Sequence, residues 1–268
     1  PRERLAPGLD PGRAAVTPAG PDRDALERAF ALQRSGRLGD AEAAYRALLA
    51  AHPEDSALQR HLGLALQQQG RLGEALACYR MALARRPGDG DLLLLTGMVL
   101  RDCGQLAEAR PLAVRAAALR PRDSAAQLLL GSVLARLGEG AAAEQALRRA
   151  IALEPGLADA WFYLGTVLHR RQDFAGAERS YRQVLALRGE GADDHRLLFN
   201  IGLCAEAREH YDEAIGWLQR AAALAPQRVD AQARLASVQA LACDWDGLDA
   251  TVAALEAALA DPAPDPSD

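Results

Sequence analysis

"SALQRHLGLALQQQG" (residues 56–70) runs directly into "RLGEALACYRMALARRPG" (residues 71–88). The first stretch is built of Leu, Ala and Gln, which lose little on entering a helix. It closes on Gly70, and glycine is the residue most suited to a helix C-terminus. The second stretch is helix-forming again and stops at Pro87. Proline cannot continue a helix and pushes its predecessor out of the helical region. The pair therefore reads as a helical hairpin. Asp55, Asp89 and Asp123 stand where each hairpin begins, as helix N-caps would.

The hairpin recurs. Prolines stand at 53, 87, 121 and 155, a step of 34; Gly189 takes the next place and Pro226 follows 37 residues later. A second column is Ala41, Ala75, Ala109, Ala143, Ala177 and Ala214. A third is Ala29, Gly63, Gly97, Gly131, Gly165 and Gly202. A fourth, Gly36, Gly70, Gly104 and Gly138, lapses to Gln172 and Glu209. Small residues in the second and third columns allow two helix axes to approach closely. A hairpin of this length cannot bury its faces alone, so the units are expected to stack.

These columns resemble the tetratricopeptide repeat (TPR) family. "ADAWFYLGTVLHRRQDFAGAERSYRQVLAL" carries Trp161, Leu164, Gly165, Ala177 and Tyr181 at the family's signature places, and the second unit carries Leu62, Gly63, Ala75, Tyr79, Ala82 and Pro87. The resemblance implies an all-α, right-handed superhelical solenoid of stacked hairpins. Six units are expected at 22–55, 56–89, 90–123, 124–157, 158–194 and 195–228, between a disordered leader (1–21) and a capping helix pair (229–260) with a disordered tail or linker (261–268). Pro111 falls inside a second helix, which predicts a late start or a kink there.

The rhythm is expected to break at the last unit. Leu248 stands where the alanine column requires a small residue, and Leu248, Val252, Leu255 and Leu259 form one apolar face. Asp244 or Asp246 can cap this helix, and Trp245 is large enough to cover the end of the stack. "CDW" (243–245) also resembles the junction between repeats and catalytic region in O-GlcNAc transferases of the SPINDLY-like type (glycosyltransferase family 41), bacterial proteins included. That resemblance implies a substrate-recruiting arm whose catalytic region would lie beyond Asp268. Similar arms precede bacterial sulfotransferase and methyltransferase domains, and a free-standing adaptor in assembly, chaperoning or secretion is the alternative. The chain opens on Pro1, as a processed product or a piece of a longer chain would.

The composition narrows the chemistry. All 31 basic residues are arginine, so lysine chemistry is excluded, and the net charge is −5. No basic run marks a nucleic-acid face, and no apolar stretch is long enough to span a membrane. Cys78, Cys103, Cys204 and Cys243 make no CxxC pair and read as free thiols of a cytoplasmic protein. The five histidines are scattered, and "DDH" (193–195) has no spaced partner, so no catalytic set, metal or cofactor is expected.

The TPR resemblance implies that the fifth and ninth positions of each unit face an inner groove. They are Leu26 and Phe30, Arg60 and Leu64, Leu94 and Met98, Leu128 and Ser132, Phe162 and Thr166, Phe199 and Leu203. Such an apolar stripe suits a protein or extended peptide partner. Arg101, Arg136 and Arg170 could grip its carbonyls or acidic groups. The family's lysine–asparagine clamp for a terminal carboxylate does not fit a chain without lysine. The asparagine ladder of the O-GlcNAc transferase groove is matched at the sixth position by Asn200 alone, Tyr163 standing there in the fifth unit.

Overall fold

A computed structural model describes residues 22–189 and 194–260. Among them are fourteen helices and no strand: α1 (Arg23–Arg34), α2 (Leu38–Ala51), α3 (Ser56–Gln68), α4 (Leu72–Arg85), α5 (Gly90–Asp102), α6 (Leu106–Leu119), α7 (Ser124–Leu137), α8 (Gly140–Leu153), α9 (Ala158–Arg170), α10 (Phe174–Arg188), α11 (His195–Ala207), α12 (Tyr211–Leu224), α13 (Val229–Ala242) and α14 (Trp245–Ala260). The chain divides into two compact units, residues 1–92 and 93–268, with the boundary inside α5. In the first, α1 to α4 pack each on the next; in the second, α6 to α14 do the same. Each unit is thus a stack of hairpins, the arrangement of a TPR solenoid. The leader, the tail and residues 190–193 of the longer loop lie outside the described residues.

One backbone feature recurs in every hairpin. Gly36, Gly70, Gly104 and Gly138 all have φ between +75° and +83°. In the last three hairpins the same left-handed turn is made by Gln172, Glu209 and Cys243, with φ of 63°, 62° and 59°. The glycine column lapses as a residue type and persists as a conformation. A side chain there costs about 1 kcal/mol or more, which the packing on either side must offset.

The caps follow the sequence closely. Asp55 Oδ1 accepts from the amides of Ala57 and Leu58, at 2.8 and 3.1 Å. Asp89 and Asp123 do the same for α5 and α7. Two second helices are capped as well. Asp173 Oδ1 accepts from Gly176 N at 2.9 Å, and Asp244 Oδ1 from Gly247 N at 3.1 Å. A Cβ at Gly176 or Gly247 would collide with the capping carboxylate, so each Asp-x-x-Gly works as a pair.

Within a hairpin the glycine of the first helix makes room for one large side chain of the second. A Cβ at Gly63 would lie 2.5 Å from the Tyr79 ring, at Gly165 2.6 Å from Tyr181, and at Gly131 2.6 Å from Leu147. Gly202 stands in the same relation to Leu218. Tyr45, Tyr79 and Tyr181 are buried, and Tyr45 and Tyr79 donate their hydroxyls to Gln33 and Gln67 at 2.8 Å. Each hydroxyl thereby keeps a partner despite burial, which pushes the phenols of Tyr45 and Tyr181 up to about 12. Gly97 differs: α6 offers only Ala113 at the matching place, and Leu129 of α7 fills the gap instead.

The hairpins are also stapled to one another. Glu42, Glu144 and Glu178 follow the alanine column, and each takes an arginine four residues on plus one from the next turn. The distant arginines are Arg71, Arg171 and Arg208. Burial raises the Glu42 pKa, but hydrogen bonds from Gln69 and Arg71 and the charges of Arg46 and Arg71 outweigh it, so the net shift is downward. A further recurring bond ties first helices to the preceding turn. Gln127, Trp161 and Gln232 donate to the carbonyls of Pro121, Pro155 and Pro226, at 3.4, 3.0 and 2.8 Å.

The expected late start at Pro111 does not occur. α6 begins at Leu106, 34 residues after α4 at Leu72. Pro111 is exposed, as is Ala107, whose carbonyl it leaves without a helical donor. Water can satisfy that carbonyl, while Ala109, Ala113 and Ala116 hold the opposite face in the core.

The last hairpin departs most from expectation. α13 and α14 begin 34 residues after α11 and α12, so the step survives Leu248. α14 accommodates the larger residue by burying a different arc. Thr251 is buried and donates to Gln239 Oε1 of α13 at 2.7 Å, with Gly247, Leu248, Leu255 and Ala258 half-buried around it. Val252 and Leu259 lie outside that arc, 38% and 61% exposed. Trp245 does not cover the stack: as the first residue of α14 it is 60% exposed.

Candidate protein-binding face

In the second unit α11 and α13 present their fifth and ninth positions side by side. Phe199 and Leu203 of α11, with Asp230, Ala233, Arg234 and Ser237 of α13, line a depression of about 440 Å³. The α13 residues extend the face one repeat beyond the sequence reading. The signal was available, since Ala233 and Ser237 lie 34 residues after Phe199 and Leu203. It was masked by the assignment of residues 229–260 to a cap. Phe199 is half-buried and packs against Leu198, Ala221 and Ala231. Arg234 Nε donates to Glu206 Oε2 at 2.5 Å, closing one edge of the floor.

Further along the same unit, Phe162 and Tyr163 of α9 are half-buried, their rings 6.0 Å apart and edge to face. Phe162 also lies 5.8 Å from the Tyr181 ring. It therefore supports the core as much as it offers a surface. Met98 and Asn200 are likewise half-buried, whereas Ser132 is fully buried and withdrawn from any ligand.

The arginines also have a structural role within the unit. Arg136 Nη1 donates to the carbonyl of Arg101 at 2.5 Å, and Arg170 Nη1 to the carbonyl of Ala135 at 2.8 Å. Both carbonyls lie at or near the C-terminus of the preceding first helix, where cations are favoured. Arg101 reaches Ser132 Oγ at 3.3 Å and pairs with Asp102. All three are thus already engaged in joining neighbouring hairpins. Only Nη1 of Arg136 and of Arg170 is used in those bonds, which leaves donors of each guanidinium for a partner. Sequence could not show this, because the accepting carbonyls lie 35 residues back.

In the first unit Phe30, Glu27, Gln33 and Arg34 line a depression of about 340 Å³ on α1. Phe30 meets His61 edge to face at 4.6 Å, and His61 stacks on Tyr45 at 6.0 Å. Burial and then the charge of Arg60 lower the His61 pKa to about 4, so the ring is neutral at physiological pH. Leu64, the ninth position of the second hairpin, is half-buried.

Asp194 of "DDH" caps α11 by accepting from Arg196 N at 2.9 Å, and Asp193 lies outside the described residues. Among the described residues no group of three or more His, Cys, Asp or Glu could hold a metal ion, and no helix is long and apolar enough to cross a membrane.

Models of the tetratricopeptide repeat match residues 26–90, 94–158 and 156–227. The chain belongs to the tetratricopeptide repeat family. Its seventh hairpin, α13 and α14, lies beyond the matched residues. No curated protein matches the sequence significantly. Among solved structures, MamA is 26% identical over 62% of this chain and 90% of its own, with a TM-score of 0.54. PilF of Pseudomonas aeruginosa is 19% identical over 80% of this chain and 96% of its own, with a TM-score of 0.67. YrrB, described as a TPR protein with an unusual peptide-binding site, is 22% identical over 70% and 91%, with a TM-score of 0.57. The latter two share the fold.

Proposed function

We propose that this TPR chain is a non-catalytic scaffold that holds an extended peptide or protein segment against its first helices. The observation that carries this reading is the depression floored by Phe199 and Leu203 and continued by Ala233 and Ser237. It offers apolar area beside the Arg234–Glu206 pair, a combination that suits a peptide backbone with alternating side chains. The peptide-binding site ascribed to YrrB, which shares the fold, agrees with it. Phe30, Leu64, Met98, Phe162, Tyr163, Phe199 and Asn200, with Arg101, Arg136 and Arg170, are the residues proposed to meet partners within their own units.

The test is selection of peptides from a displayed library on the whole chain. Selected peptides should lose at least tenfold in affinity for Leu203→Asp and for Ser237→Arg, with helicity unchanged. Full affinity for both variants would refute the reading.

A narrower reading, the recruiting arm of a SPINDLY-like transferase, rests on Cys243, Asp244 and Trp245. These residues have a sufficient local role: Cys243 takes the left-handed turn and Asp244 caps α14. A downstream glycosyltransferase region in the coding sequence would favour the arm; a sulfotransferase, a methyltransferase or a stop would contradict it.

A further inference from the structure

The outer face of α14 is unlike that of any other second helix. Its places 248, 252 and 255 correspond to Ala214, Leu218 and Ala221 of α12, which are wholly buried. Inside the stack those places are buried between the first helix of their own hairpin and the next one. On α14, Leu248 and Leu255 are half-buried and Trp245, Val252 and Leu259 are exposed. At 100° per residue these five fall on one arc of about 80°. The face packed on α13 borders it on one side, and the exposed carboxylates Asp249, Glu256 and Asp246 on the other. α14 carries no basic residue.

Asp249 stands where Glu42, Glu144 and Glu178 stand in earlier hairpins. Each of those accepts an arginine from the following turn, whereas Asp249 has no partner among the described residues. The surface thus has the apolar and acidic halves of an internal junction, and no helix among the described residues completes it. We propose that this face docks a basic amphipathic helix of a partner protein, seated as an eighth first helix. Its apolar residues would fall at the third, seventh and eleventh positions, with an arginine at about the fourteenth. The first helix of a second copy does not fit, because α1 carries Asp24 and Arg28 at the third and seventh positions.

The probe is a hydrocarbon-stapled, fluorescein-labelled peptide carrying residues 195–208 with Cys204 as alanine. In the chain this segment bears Leu197, Ile201 and Arg208 and packs against α10. Stapling removes the cost of ordering the helix. Titration with the full chain should raise the anisotropy saturably. The Val252→Asp/Leu259→Asp variant, altered only at exposed places, should bind at least tenfold more weakly with an unchanged circular dichroism spectrum. Asp249→Arg should weaken binding at least threefold, and Arg208→Glu in the peptide should restore it. No binding, equal binding to the double variant, or concentration-dependent dimerisation through Val252 and Leu259 would each overturn the proposal.

Discussion

The first and last of the described helices, α1 and α14, differ in what their outward positions carry. α1 places Asp24 and Arg28 where inner first helices bury residues such as Leu58 and Leu62. Its apolar residues turn inward, with Ala29 buried and Phe30 set against His61 and Tyr45. α14 keeps the apolar residues Leu248, Val252 and Leu255 at three places that α12 buries, and leaves Val252 exposed. The outward face of α1 therefore carries charge, as the outer face of a terminal repeat is expected to. That of α14 has the composition of an interior junction. An end is recognised by what its outward positions carry, not by where the period stops.

The largest consequence concerns one column of the second helices. Tyr181 is buried and Val252 is its counterpart in α14. Tyr181→Ala should cost about 3–5 kcal/mol in urea unfolding, the usual range for a buried aromatic. Val252→Ala should cost less than about 1 kcal/mol. Equal costs would mean that α14 is covered after all.

The next effect separates the ends by pH. The ring cluster behind α1 contains His61, held neutral with a pKa of about 4 against 6.5 when unfolded. The unfolded chain binds more protons between those values. The stability that His61 contributes is complete above pH 6.5 and is lost as pH falls towards 4. Amide exchange at pH 4.5 should therefore speed up in α1–α4 relative to pH 7, after correction for intrinsic rates, and His61→Phe should remove the difference. α14 has no histidine and should not share it.

The smallest effect sharpens the comparison along the turns. Gln172→Gly, Glu209→Gly and Cys243→Gly should each stabilise by up to about 1 kcal/mol, since each residue holds a positive φ. Gly138→Ala should destabilise by a similar amount. Denaturation midpoints of the four variants check both signs.

Much of this was legible in the residues. The prolines, the aspartate caps and the alanine and glycine columns determine the hairpins, because each acts within one turn of helix. Gly165 and Tyr181 could be paired from their columns alone. The fourth column misled where it lost glycine, since packing holds Gln172 and Glu209 in the conformation that glycine would favour. Leu248 misled because α14 leaves this larger side chain half-buried while Thr251 takes the buried place, and sequence periodicity does not record how deeply a residue is seated. The bonds of Arg136 and Arg170 to carbonyls 35 residues back depend on stacking, which no local pattern encodes. The floor residues Ala233 and Ser237 were readable by phase and were lost only because the last hairpin was read as a seal.

Amide hydrogen exchange of the full chain, with and without the stapled 195–208 peptide, tests most directly whether the seventh hairpin is a repeat left open. Residues 229–260 should be protected as one folded hairpin in the free chain, and the peptide should slow exchange in 245–260 while leaving 23–34 unchanged. Unprotected amides across 245–260 in the free chain, or slowing at 23–34 instead, would contradict the account.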